Sequence, residues 1–301
     1  MILPVGTQVV TRVEIKGKDG KPMRPKGTVG RITKAPVDQL HTYAIQLPDG
    51  TEVRMRRHEV ITRKQEHEEN LNEASYFLED YDLYQHIIYR CIVGSRAYGL
   101  SDGDSDTDRR GIYLPPADLQ WSVFGIPEQL ENQETEECYW ELQKFITLAL
   151  KANPNILECL YTPLIEHATP LARELLRIRS VFLSKMIYRT YNGYAMSQFK
   201  KIEQDLRTKH DVKWKHAMHL VRLLICGIRT LKEEEVPVDV GEHRDQLLGI
   251  RRGETPWAEV NAWRKSLHQD FEEAYQQTKL PERPDYEKAN AFLIKARRSM
   301  V

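Results

Sequence analysis

Between Gln8 and Met55 the apolar positions come in short, partly alternating runs broken by turn residues. That is the period-2 pattern of strands with one buried face. Gln8–Ile15 reads as a first strand. Lys18-Asp19-Gly20-Lys21 and Pro25-Lys26-Gly27 read as turns. Gly27–Ile32 reads as a bent strand with Gly30 at its kink. Thr42–Leu47 and Thr51–Met55 flank Pro48-Asp49-Gly50, a strong hairpin signal. Lys64–Asn70 is polar without periodicity and reads as a linker, followed by a short helix or irregular lead-in over Leu71–Tyr84. The pattern then changes. His86–Val93 is an apolar, β-branched run suited to a buried strand, and Arg109–Leu114 is a second strand that Pro115-Pro116 stops. Gln133–Tyr139 is a candidate third strand. Trp140–Ala152 has helical spacing, with Leu142, Phe145, Ile146 and Ala149 inward.

Past Asn153-Pro154-Asn155 the period is 3.6. The strongest helix spans Val212–Lys232, with Trp214, Met218, Val221, Ile225 and Ile228 on one face. Two more follow at 257–279 and 286–299, separated by Pro281-Glu282-Arg283-Pro284. Pro170 and Pro256 suit first-turn positions, the latter with Thr255 as cap. The class expected is α+β, with a small β-unit at 1–64, a linker and lead-in helix at 65–84, a mixed α/β core at 85–165 and a helical domain at 166–301. The β-unit resembles the SH3-like small β-barrels that accompany nucleic-acid enzymes.

Composition narrows this picture in three places. Apolar residues are 41% of the 301 and charged residues 29%, and no run approaches the ~18 apolar residues of a membrane span. Met1-Ile2-Leu3-Pro4 lacks the basic-then-apolar pattern of a signal peptide. Cys91, Cys138, Cys159 and Cys226 are scattered without zinc-ligand spacing, so a reduced, cytoplasmic chain is expected. The zero net charge hides an asymmetry. Residues 1–64 carry thirteen Lys/Arg and six Asp/Glu, a charge of +7, against 31 basic and 38 acidic residues, −7, in the remainder. A basic unit attached to an acidic body points to attraction for a polyanion.

The chemistry lies where the first buried strand ends. Val93-Gly94-Ser95 supplies a flexible backbone and a hydroxyl, and Asp106-Thr107-Asp108 places two carboxylates on one face of a strand. Hard divalent cations need oxygen ligands of this kind, and a triphosphate needs the N–H donors and hydroxyl of such a turn. Arg96 is near enough to add charge-assisted contacts. A third carboxylate is required from a neighbouring strand: Glu136 is the choice and Glu137 the alternative, and strand register decides between them. Lys215, His219 and Arg222 are spaced i, i+4, i+7 and share a helix face from which they would screen phosphate charge. Lys200 and Lys201 are weaker candidates for the same cleft, and Tyr188, Tyr191 and Tyr194 read as core first, with base-stacking rings the lesser alternative. A calcium-loop reading of Ser101–Asp108, with Asp102 and Asp104 in the loop, lacks the closing Glu of an EF-hand.

Gly94-Ser95, ten residues, then Asp106-x-Asp108 resembles the signature of the DNA polymerase beta-type nucleotidyltransferase superfamily. Gly94–Gly99, Ser105–Ile112, Leu142–Asn155, His216–Arg222, Leu248–Glu254 and Leu280–Asp285 resemble an RNA-ligase-associated predicted nucleotidyltransferase family over roughly residues 85–300. The resemblance implies a minimal nucleotidyltransferase sheet beside a helical domain. It also implies metal binding at Asp106 and Asp108, Mg²⁺ or Mn²⁺ as cofactor and an NTP as substrate. The implied reaction moves an NMP to a hydroxyl, on RNA, in the company of an RNA ligase or repair protein. The family tends to show Asp where this chain has Glu136. Transfer to a protein or small molecule, and a non-catalytic RNA-binding protein, are the competing expectations.

Overall fold

The computed structural model describes residues 3–17, 21–36, 41–63, 66, 81–101, 106–132, 134–209 and 212–301. The expected linker, most of the lead-in helix, Asp102 and Asp104 lie outside them. The chain divides into two compact units, Met1–Asp82 and Leu83–Val301. Among the described residues no helix is long and apolar enough to cross a membrane, and the four cysteines are free.

The first unit is all-β. Its strands are β1 (Gln8–Thr11), β2 (Ile15–Lys16), β3 (Pro22–Arg24), β4 (Val29–Lys34), β5 (Tyr43–Gln46), β6 (Glu52–Met55) and β7 (Val60–Thr62). Five form an antiparallel sheet in the order β6-β5-β4-β1-β7, and β2 pairs with β3. The β5–β6 hairpin forms around Pro48-Asp49-Gly50 in the register Tyr43↔Met55. Val9, Ile32, Tyr43, Ile45 and Val60 build a separate small core. The closed barrel expected here is not seen among the described residues. β6 and β7 are the two edges, four and three residues long, and the 3₁₀ turn Arg57–Glu59 between them carries no ladder.

The second unit is a mixed sheet wrapped by helices. Its strands are β8 (Ile87–Val93), β9 (Asp108–Tyr113), β10 (Gln129–Asn132), β11 (Glu137–Glu141) and β12 (Ile165–Ala168), in the order β10-β11-β9-β8-β12. β9 and β11 run parallel, and the other neighbours antiparallel. The helices are α1 (Ala117–Trp121), α2 (Leu142–Leu150), α3 (Pro154–Tyr161), α4 (Pro170–Arg177), α5 (Met186–Lys209), α6 (Trp214–Glu233), α7 (Arg244–Arg252), α8 (Trp257–Gln277) and α9 (Tyr286–Arg298). Leu142, Phe145, Ile146 and Ala149 all point inward from α2, as their spacing requires.

Glu141 caps α2 and Asn153 caps α3, each accepting two backbone N–H bonds. Pro170 opens α4 behind the Thr169 cap. Pro256 is itself the cap of α8, so Thr255 lies one residue outside the position expected for it. A continuous core runs from Tyr89 and Ile112 on the sheet through Phe145 and Leu157 to Leu224, Phe271 and Phe292 on the helices. β12 closes the sheet edge next to β8 with residues that alternation alone does not mark, since three of its four are exposed.

Candidate active site

β8 delivers the chain to a tight turn at its C-terminal end. Backbone bonds from Tyr98 N to Gly94 O (3.0 Å) and from Leu100 N to Ser95 O (2.8 Å) close it. Gly94 has φ +73°, and a Cβ there would overlap the Asp108 carboxylate. Glycine is therefore required twice over, for the left-handed backbone and for the contact with the facing strand. Gly99, with φ +71°, ends the turn, and a Cβ there would stand 2.7 Å from Asp239 Oδ2. From below, Arg244 Nε donates to Gly99 O (2.8 Å) and Arg251 Nη1 to Leu100 O (3.0 Å).

Asp108 opens β9 opposite Val93. Strand alternation sends Asp108 and Arg110 to one face and Arg109 to the other. Arg110 Nη2 lies 3.1 Å from Asp108 Oδ1, and its Nη1 donates to Glu136 O at 2.6 Å. Arg109 turns away to Glu166, 2.9 Å from Oε2. The parallel ladder pairs Glu137 with Arg109, which puts Glu136 level with Asp108. Glu136 holds φ +54°, a left-handed conformation that costs a non-glycine residue about 1–2 kcal/mol. Arg96 Nε donates to Asp106 O at 3.4 Å, bracing the backbone of the first aspartate.

These pieces surround one cavity of about 680 Å³. On the sheet side it is lined by Gly94, Ser95, Asp106, Asp108, Arg110 and Glu136; on the helix side by Lys215, Met218 and His219 from the first turns of α6. Glu137 reaches only a shallower adjoining recess shared with Asp108 and Glu136. Lys215 is exposed. His219 is different. Burial, with Arg222, Lys215, His216 and Arg251 around it, pushes its pKa down to about 3. It is a neutral imidazole at pH 7, able to hydrogen-bond but not to screen charge as the helix-face reading expects.

Arg222 is not on the wall of the cavity. It lies beneath, 5% exposed, with Nη1 2.7 Å from Glu158 Oε1. Tyr98 OH donates to the other carboxylate oxygen at 2.6 Å, and the guanidinium sits 3.7 Å from the Tyr98 ring centroid. Burial opposes the charge on Arg222, but Glu158 more than offsets it and the pKa is raised. The cation placed by the i, i+7 spacing is thus consumed by a partner the sequence does not reveal, and its work is to tie the Gly94–Gly99 turn to α3 and α6. Lys200 and Lys201 are not among the residues lining the cavity. Tyr191 is fully buried, and Tyr194 OH accepts from Asn153 at 2.8 Å.

Sequence reasoning missed Arg110, Trp140, Asn155, Glu158 and Arg251 as cavity residues. Arg110 had a signal, two residues beyond Asp108 on the same strand. Asn155 and Arg251 sit in segments marked out by resemblance, but no spacing rule connects them to the carboxylates. The donor set Asp106, Asp108 and Glu136 has the hard oxygen chemistry of a Mg²⁺ or Mn²⁺ site. Among the described residues no three His, Cys, Asp or Glu side chains converge closely enough to hold an ion, and Arg110 supplies the positive charge beside Asp108.

A family model described as RNA repair pathway DNA polymerase beta family, RlaP, matches residues 59–295, more than three quarters of the chain. Uncharacterized protein YcgL of Bacillus subtilis (strain 168) is 33% identical over 98 residues, which are 31% of this chain and 38% of that protein. The chain thus spans little more than a third of that relative's length. The crystal structure of a nucleotidyltransferase-like protein from Exiguobacterium sibiricum 255-15 aligns over 76% of this chain and 80% of that chain, at 12% identity and a TM-score of 0.26, too low to carry an argument. The turn after one strand and the aspartates at the start of the next, together with the extent of the family match, place this chain in the RNA repair pathway DNA polymerase beta family.

Proposed function

We propose that the protein transfers an NMP from an NTP to a hydroxyl of RNA, forming a phosphodiester as the α–β anhydride breaks and pyrophosphate leaves, with Mg²⁺ or Mn²⁺ at Asp106, Asp108 and Glu136. The observation that carries this reading is the cavity that sets three carboxylates and the Gly94-Ser95 turn against Lys215 and the N-terminal turns of α6. When bound, the divalent ion would offset the charge of the reacting phosphates and of the attacking oxygen. The chain does the rest. Ser95 Oγ and the backbone N–H groups of the turn hold the β- and γ-phosphates. Lys215 meets phosphate oxygen with a charge-assisted bond, aided by the N-terminal end of α6. His219 donates a neutral N–H. Glu136 is placed to accept the proton of the attacking hydroxyl. Arg96 and Arg110 hold the strands bearing the carboxylates.

The RNA acceptor is supported by the family's RNA repair pathway and by the +7 charge of residues 1–64, which suits sequence-independent phosphate contacts. The same pathway implies an RNA ligase or repair protein as a companion. Four free cysteines accord with a reducing cytoplasm. The test is to offer α-labelled NTPs and Mg²⁺ or Mn²⁺ to the full chain with RNA, protein and small hydroxyl compounds together. Label in RNA is the expected result. Label in protein or small molecules would keep the chemistry and move the acceptor. No label anywhere would overturn the reading in favour of an RNA-binding protein.

A further inference from the structure

A second cavity, about 780 Å³, lies outside the active site in the helical part of the second unit. Its wall combines Lys185, Arg189 and Arg283 with Tyr188, Tyr275 and Tyr286. Tyr188 and Tyr275 stack with centroids 4.5 Å apart, and Tyr188 rests edge-on against Phe271 at 5.0 Å, which fixes both rings. Tyr286 stands at the start of α9, 51% exposed.

Lys185 is spent, on Glu282 and over the Tyr275 ring, 5.9 Å from its centroid; the two arginines are not. Among the described residues neither Arg189 nor Arg283 is paired with a carboxylate. Arg283 sits in Leu280-Pro-Glu-Arg-Pro-Asp285, the one resembling segment that the active site does not use. This loop is pinned: Lys185 N donates to Pro281 O (2.8 Å), Asp285 N to Val181 O (2.9 Å), and Pro284 is buried. Proline on both sides of Glu282-Arg283 further limits its freedom. Rigid presentation of an exposed arginine beside three rings matches what a single-stranded nucleic acid offers, phosphates for the cations and bases for the ring faces. An acidic peptide would use the arginines but leave the aromatic faces without partners.

We propose that this groove holds a stretch of single-stranded RNA, with Arg189 and Arg283 on phosphates and Tyr286 and the Tyr188–Tyr275 pair under bases. The inference rests on the reading of RNA as the acceptor, and it adds where the body of that acceptor lies. α6 links the two places. His219 in its second turn lines the active site, and Leu231 near its end accepts a bond from Thr278 Oγ1 (2.6 Å), just before the pinned loop. Twelve residues at 1.5 Å each separate the sites by roughly 18 Å along that axis. An acceptor end in the active site therefore reaches the groove only if several nucleotides follow it.

The test uses the full chain and single-stranded RNA of ~20 nucleotides carrying 5-iodouridine, with cross-linked peptides mapped after irradiation. Affinity and its salt dependence are measured for wild type, Arg189→Glu/Arg283→Glu and the milder Arg189→Ala/Arg283→Ala. Cross-links at Tyr188, Tyr275 or Tyr286 are expected, with binding roughly tenfold weaker and less salt-sensitive in the Glu variant. Transfer to a mononucleoside acceptor should be unchanged in both variants. Cross-links confined to residues 1–64 or to the active site, with affinity unchanged, would overturn the groove and leave the acceptor reading standing. Groove cross-links with no label ever transferred to RNA would keep the groove and overturn the acceptor reading.

Discussion

Breaking the buried Arg222–Glu158 pair should destabilise the second unit strongly. Arg222 is 5% exposed and Glu158 1%, and they meet at 2.7 Å. Arg222→Met leaves Glu158 buried with only the Tyr98 hydroxyl to satisfy it. Removing one partner of a buried pair costs about 3–5 kcal/mol, because a charge remains unpaired in a low dielectric. At about 2–4 °C per kcal/mol for a unit of this size, Tm should fall on the order of 10 °C.

All five tryptophans, Trp121, Trp140, Trp214, Trp257 and Trp263, lie in the second unit, so tryptophan fluorescence during urea unfolding reports on that unit alone. Arg222→Met/Glu158→Met removes both charges together and should cost no more than the worse single variant, a coupling of at least about 2 kcal/mol. Two singles that each cost under about 1 kcal/mol and simply add would refute the idea that this pair ties the turn to the helices.

Gly94→Ala must place a Cβ on the Asp108 carboxylate at positive φ, so transfer should be lost while circular dichroism shows a folded chain; wild-type turnover would contradict the close approach. Glu136→Gly removes a carboxylate and relieves a left-handed backbone. Thermal unfolding should show stability unchanged or raised by up to about 1 kcal/mol as activity falls, and a clear loss of stability would count against the strain. Lys215→Ala should raise the KM for NTP about 10- to 100-fold, the worth of one charge-assisted bond of roughly 1.5–3 kcal/mol, with little change in secondary structure. His219 binds a proton in the unfolded chain below about 6.5 but in the folded protein only near 3, so its contribution makes stability rise with pH between those values; His219→Gln should flatten the urea midpoint in that window, and an unchanged slope would show that His219 is not held neutral.

The elements that position the active site were legible where one face of a strand or helix is buried. His86–Val93, Arg109–Leu114 and the inward face of α2 emerge close to the expected bounds because burial imposes a period. β12 and β10 were not legible, being four residues each with one core-facing side chain apiece, Ala168 and Leu130, too few to set a period. Nor was the open edge of the first unit, since closure depends on whether β6 and β7 meet, which no alternation encodes. In the active site, Gly94, Ser95, Asp106, Asp108, Glu136, Lys215 and His219 were named from spacing and resemblance and do line one cavity. Arg222 shows the limit of such reasoning. Helix spacing gives the face, but whether an arginine meets solvent or a buried carboxylate depends on Glu158, 64 residues away in sequence.

The central claim is metal-dependent transfer at the aspartates, and the most direct measurement is α-labelled NTP transfer to RNA against Mg²⁺ or Mn²⁺ concentration, comparing wild type with Asp106→Ala and Asp108→Ala. Label should rise with metal, disappear with a chelator and fall about 1,000-fold in either variant, a loss of roughly 4 kcal/mol of transition-state stabilisation. Transfer that survives both substitutions, or that ignores the metal, would contradict it.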